Sequence, residues 1–186
     1  MGYNSLLAQA PKKINVEYSD FADVNQAEIP DAILLTGNVR ISHDGAILTC
    51  KKAYFFSKEN YVKAFGEVQI VQGDTLFLNS KYAEYNGNVK QAYATGNVVL
   101  KSPDMLLVTD TLNFDRISQE AYYKTYGTIT NKDNILKSKS GRYYANEKKF
   151  QFLTAVTVTN PKYVLKSNHL DYYNNSGHSY LFGPST

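Results

Sequence analysis

The sequence is poor in the residues that build reactive or metal-binding centres. It has one cysteine, three histidines and no tryptophan in 186 residues. A lone Cys50 excludes an intrachain disulfide and any multi-cysteine zinc site. His43, His169 and His178 have no accompanying Asp, Glu or Cys pattern, so no metal and no other cofactor is expected. Neither sign of charge dominates. Twenty Lys and Arg against 17 Asp and Glu leave +3, with the lysines scattered, which does not support nucleic-acid binding. No apolar run approaches the ~20 residues of a membrane-spanning helix. A Gly-rich phosphate loop, a Gly-x-Ser-x-Gly elbow and a recurring carboxylate pair are all missing, so the chain is not expected to be an enzyme.

What the chain does have is aromatics and repetition. Sixteen Tyr, nine Phe and a 43% hydrophobic content favour strands. One element reads Gly37-Asn38-Val39-Arg40-Ile41 and returns as Gly66-Glu67-Val68-Gln69-Ile70, Gly96-Asn97-Val98-Val99-Leu100 and Gly127-Thr128-Ile129-Thr130. A degenerate copy is Thr154-Ala155-Val156-Thr157-Val158, and Gly183 opens a possible sixth. A second element alternates with it. Leu48, Leu78, Leu107, Leu136 and Leu165 are each followed, two residues on, by Cys50, Ser80, Thr109, Ser138 or Ser167. Five residues on stand Ala53, Ala83, Leu112, Gly141 and Leu170, and seven on an aromatic: Phe55, Tyr85, Phe114, Tyr143 and Tyr172. Such a period of about 29–30 residues marks a repeat architecture.

Each repeat reads as two strands and two turns, with turn signals such as Asp44-Gly45, Gly73-Asp74 and Asn86-Gly87-Asn88. No helical period stands out. The Gly-containing strand alternates with a period of two, as in Val62, Ala64, Gly66, Val68 and Ile70, which means one buried and one wet face. Its mid-strand glycine predicts a bend or bulge. The Leu-containing strand has apolar positions at offsets 0, 5 and 7. That mixture of parities predicts a corner between offsets 2 and 5 in every repeat. The predicted fold class is therefore all-β: curved antiparallel sheets in a sandwich or open β-jelly roll. Hairpin signals argue against a parallel β-helix.

Residues 1–13 read as a tail, either the stub of an export signal ending at Ala8-Gln9-Ala10 or a cloning remnant. Residues 14–186 read as a single domain that begins with a partial unit (Ile14, Val16, Tyr18, Phe21). It stops where a sixth repeat would start, so a longer native chain is expected.

The repeated Gly-Asn-Val-x-apolar element, followed by strands such as Leu48-Thr49-Cys50-Lys51-Lys52-Ala53-Tyr54-Phe55 and Leu107-Val108-Thr109-Asp110-Thr111-Leu112-Asn113-Phe114, resembles the OstA-like family. That group includes the lipopolysaccharide-transport protein LptA and the N-terminal domain of LptD. Asp110 keeps the family's acid at offset 3, whereas Lys51, Lys81, Lys139 and Asn168 replace it elsewhere, so the chain is a divergent member of Bacteroides type. The resemblance implies a non-enzymatic periplasmic carrier or bridge for lipopolysaccharide on its way to the outer membrane. It implies acyl chains held in an apolar groove and edge-strand pairing with other OstA-like or Lpt domains, including head-to-tail self-association.

Two readings of the apolar face remain open. One is a dry, filled core in a structural interaction module. The other is a groove with volume left by small inward residues (Ala64, Gly66, Ala94, Gly96, Ala121), where burial is worth ~0.8 kcal/mol per methylene. The expected groove lining is Val39, Ile41, Ala64, Val68, Ile70, Leu78, Ala94, Val98, Leu100, Leu107, Leu112, Ile129 and Val156, with lipopolysaccharide or lipid A as the ligand. Cys50 is expected as a small inward residue and His43 as a solvated residue before a turn. Lys12-Lys13 and Lys148-Lys149 are expected as solvated pairs suited to the rim of a site for an anionic glycolipid.

Overall fold

The computed structural model describes residues 12–25, 27–74, 76–103 and 105–186. The Ala8-Gln9-Ala10 stretch lies outside the described residues. Fifteen strands and no helix are found among them: β1 (Asn15–Tyr18), β2 (Phe21–Asp23), β3 (Ile33–His43), β4 (Ala46–Phe56), β5 (Tyr61–Gln72), β6 (Leu76–Asn86), β7 (Gln91–Ser102), β8 (Met105–Asp115), β9 (Glu120–Tyr123), β10 (Gly127–Asn131), β11 (Asn134–Ser138), β12 (Ser140–Tyr144), β13 (Lys149–Asn160), β14 (Tyr163–Tyr173) and β15 (Ser179–Phe182). All pairings are antiparallel, as the hairpin signals predict, and the fold is an open β-jelly roll.

Every long strand breaks its register once, in the middle. Thr36 pairs with Lys52 and Val39 with Cys50, so Gly37 and Asn38 together oppose Lys51 alone. The same step falls between Phe65 and Val68, Thr95 and Val98, and Leu153 and Val156. Both extra residues are left-handed: Gly37 and Asn38 at φ 72 and 44, Gly66 and Glu67 at 75 and 49, Gly96 and Asn97 at 82 and 54. Glycine is needed at the first position for that φ and for close approach. A Cβ on Gly96 would lie 2.8 Å from the Lys81 Cβ on the neighbouring strand. In the fourth repeat the corner splits one strand into β9 and β10 and its neighbour into β11 and β12, with Tyr126 taking the left-handed position. Gly183 repeats the conformation at φ 84, and beyond it Thr186 pairs its backbone with Lys166.

The Leu-containing strands turn the same corner by switching parity, as the offsets predict. Cys50 and Ala53 both face inward while Lys51 is exposed, and the pattern repeats through Ser80 and Ala83, Thr109 and Leu112, Ser138 and Gly141, and Ser167 and Leu170. The small residue at offset 2 has a task that sequence reasoning missed. Its side chain donates to the carbonyl two residues on, across the corner: Cys50 to Lys52, Ser80 to Tyr82, Thr109 to Thr111, Ser138 to Ser140 and Ser167 to His169, at 2.8–3.3 Å. A short inward hydroxyl or thiol thus ties the chain to itself across the corner in every repeat.

The line of corners divides the sheet into two halves whose inner faces oppose each other. Half I contains the first halves of β3, β5, β7 and β13 together with β9. Half II contains their second halves together with β10. Close to the corners the gap is narrow, and small side chains fill it. Ala53, Ala64, Ala83 and Ala94 form one in-register ladder on half I, facing Val39, Val68, Val98 and Val156 on half II; all are at most 3% exposed.

Candidate functional site

Away from the corners the two halves diverge, and the side chains grow to fill the gap. On half II the next row is Ile41, Leu48, Ile70, Leu78, Leu100, Leu107, Ile129 and Leu136. On half I it alternates aromatic with aliphatic through Phe55, Val62, Tyr85, Ala92, Phe114, Ala121 and Tyr143, then continues aromatic with Phe150 and Tyr172. Where the aliphatic member is small, the gap is not filled. Val62, Ala92 and Ala121 line an open-mouthed cavity of about 580 Å³, roofed by Ile41, Leu48, Ile70, Leu78 and Leu100. Where the member is Phe150, the gap closes. Its ring stacks on Tyr143 at 4.4 Å and lies 5.9 Å from Phe152 and 6.4 Å from Tyr172, plugging the C-terminal end. Tyr123, held by a 2.7 Å bond between its hydroxyl and Ser138 Oγ, fills the space beside Gly127 and Gly141. Burial pushes its phenol up to about 12.

The 13 residues expected to line a groove fall into three groups. Ile41, Ile70, Leu78, Leu100 and Leu112 line the cavity. Leu107 and Ile129 border only a gap of about 10 Å³ beside Tyr123 and Phe150. Val39, Ala64, Val68, Ala94, Val98 and Val156 are packed at the corners and do not line the cavity. The idea that small inward residues leave volume holds for Ala121 and needs correcting for the others. Ala64 and Ala94 are small because the halves converge on them. Gly66 and Gly96 turn toward Lys51 and Lys81 rather than toward the interior.

One stretch of the rim is polar and closed. His43 is not solvated as expected. It is 5% exposed, with Nδ1 2.8 Å from the Tyr85 hydroxyl and Nε2 2.9 Å from the Lys12 carbonyl. Burial is forced because the β3–β4 turn of half II meets the turn rows of half I. Arg116, from the turn after β8, donates from Nη2 to the Asp44 carbonyl at 2.9 Å, and from Nη1 to the His43 carbonyl at 3.3 Å and the Tyr85 hydroxyl at 3.1 Å. The Asp44 carboxylate accepts from Lys12 at 2.7 Å and Lys90 at 2.6 Å, and these two ammonium groups hold it well below the usual carboxylate range. Lys12 is therefore fastened to the fold and not part of a loose tail. Asn60, fully buried, accepts from the Ile14 N–H at 2.7 Å and fixes the same segment. Further along the rim, Asn131 donates to Asn174 at 2.8 Å. Cys50 is buried, and burial pushes its thiol up to about 11, which keeps it protonated and unreactive.

Among the described residues, a meander of bent repeats with unpaired outer edges at both end strands and an apolar cavity between its two halves defines an open β-jelly roll. Comparison with known families makes this specific: the chain belongs to the OstA-like protein family, whose model matches residues 11–168. No curated protein matches the sequence. Among the solved structures that match is LptH, the LptA homologous periplasmic component of the lipopolysaccharide transport device of Pseudomonas aeruginosa. The likeness has a TM-score of 0.54 at 11% identity and covers 59% of this chain and 82% of that one, which establishes a shared fold.

Proposed function

We propose that the protein is a non-enzymatic periplasmic carrier in lipopolysaccharide transport to the outer membrane, holding acyl-chain hydrocarbon of lipopolysaccharide or lipid A between the two halves of its sheet. The observation that carries this reading is the cavity of about 580 Å³ with walls of Ile41, Ile70, Leu78, Leu100 and Leu112, in a member of the OstA-like family. Its size lies within the ~300–1,000 Å³ of typical ligand sites. Removing a 12-carbon chain from water is worth ~10 kcal/mol at ~0.8 kcal/mol per methylene, before the costs of association.

The end strands support a bridging role by edge pairing, with other Lpt domains or with further copies head to tail. Among the described residues β1 and β2 pair only with β3, and β15 only with β14. Phe21 is 75% exposed beside one edge and Phe182 48% beside the other. The Phe150 plug favours a second reading for the C-terminal third, that of a filled structural module. Labelled lipid A binding to the wild type and to Ala92→Phe separates the two. The carrier reading expects binding that the added ring abolishes. No binding by the wild type, or equal binding by both, refutes it.

A further inference from the structure

We infer that Arg116 is the headgroup anchor of the cavity, giving it a preference for amphiphiles with an anionic head beside the acyl chain. This rests on the carrier reading and adds to it a charge requirement and the residue that imposes it. Among the described residues, two charged side chains line the cavity, Asp44 and Arg116. Asp44 is already neutralised twice, by Lys12 and Lys90. Among the described residues Arg116 has no carboxylate partner: its two Nη groups meet carbonyls and a tyrosine hydroxyl. Its Nε is buried without a hydrogen-bond partner among the described residues, a costly state for a guanidinium N–H. The adjacent Asp115 is turned to other work, accepting from the N–H groups of Ile117 and Ser118 and from Gln91.

Among the described residues the rim at this point therefore carries three cations, Lys12, Lys90 and Arg116, against the carboxylates of Asp44 and the neighbouring Asp115, next to a hydrocarbon-lined space. The backbone holds Arg116 in place from both sides, its N–H donating to the Lys90 carbonyl at 3.0 Å and its carbonyl accepting from Gln119 at 2.6 Å. A carboxylate or phosphate brought to the rim by a chain lying in the cavity supplies the missing acceptor and the missing charge. A guanidinium is suited to either oxyanion.

The test compares dodecanoate, dodecyl phosphate, the neutral 1-monolauroylglycerol and inorganic phosphate by titration calorimetry on the wild type and Arg116→Gln. The wild type is expected to bind both anionic amphiphiles about tenfold or more tighter than the neutral one, the gain typical of a charge-assisted hydrogen bond. Arg116→Gln is expected to bring the three amphiphiles within about twofold of one another. Wild-type protein gives a second readout that needs no variant: the ¹⁵N–¹H resonance of Arg116 Nε moves with dodecanoate and stays put with monolauroylglycerol. Equal wild-type affinities, an unmoved Nε resonance, or a preference that survives Arg116→Gln overturns the anchor and leaves the cavity reading standing. Inorganic phosphate binding as tightly as dodecyl phosphate also overturns it, since the site then needs no chain. Failure of every amphiphile to bind the wild type defeats the carrier reading itself.

Discussion

The corner of the fifth repeat carries the wrong residues for its backbone, and repairing it should stabilise the protein. Thr154 and Ala155 sit at φ 65 and 53, where the first three repeats place Gly-Asn, Gly-Glu and Gly-Asn. A left-handed L-residue costs roughly 1–2 kcal/mol, and a β-branched one lies at the upper end. Glycine removes that cost but returns roughly 0.5–1 kcal/mol through the greater freedom of the unfolded chain. Asparagine tolerates the second position better than alanine. Both side chains are exposed, so no packing is lost, and the Lys139 N–H keeps its bond to the carbonyl of residue 154. The pair Thr154→Gly and Ala155→Asn should thus add about 1 kcal/mol, or ~2–4 °C in Tm for a chain of this length. Urea unfolding measures it as a higher midpoint at unchanged slope. The control is Gly96→Ala, at φ 82 with Lys81 Cβ 2.8 Å from the new atom, which should lose at least as much. An unchanged or lowered midpoint for the double variant, with Gly96→Ala tolerated, would refute the view that the corners are where this sequence is constrained.

Ser138→Ala should cost about 2 kcal/mol in urea unfolding, because it strips both the Tyr123 hydroxyl and the Ser140 carbonyl of a buried partner. Ser80→Ala, which releases only the Tyr82 carbonyl, should cost about half that. Tyr123 should ionise well above the ordinary phenol range, at about 12 in a 295 nm titration, with Tyr61 and Tyr82 later still because each is part-buried and donates to the Glu84 carboxylate. Its folded pKa lies above the unfolded value of ~10, so its contribution to stability is whole below pH 10 and is lost as the pH rises from there toward 12. Asp44 has the opposite sign. Its depressed pKa makes its contribution complete above the unfolded value of ~3.9 and lost as the pH falls below it, and Asp44→Asn should flatten that part of an acid unfolding curve.

The repeat and its corners could be read from the sequence because both are local. Offsets 0, 5 and 7 cannot share one face of a flat strand, and a glycine recurring in mid-strand needs a backbone reason. The cavity could not be read so directly. Ala94 and Ala92 look alike in the alternation, yet Ala94 sits where the halves touch and Ala92 where they part, and only the distance from the corner separates them. The hydroxyls at offset 2 are visible in the sequence as small residues, but not as donors to the carbonyl two residues on, a contact made across the bend. His43 and Arg116 gave still less signal. They stand 73 residues apart, each beside an ordinary turn, and become one structure only when the two turn rows meet across the mouth.

The same geometry explains how one repeated motif makes a filled end and an open middle. At the second row one inward position is Val62, Ala92 and Ala121 in three successive repeats and Phe150 in the next. The row at the corner changes as well, from Ala64 and Ala94 to Tyr123 and Phe152, so the C-terminal end is filled at both rows while the fold is kept. A ring placed at Ala92 should therefore extend the Phe150 plug toward the N-terminal end, removing capacity with little loss of stability. A charge placed at Val98, which is fully buried against the corner, should instead unfold the repeat.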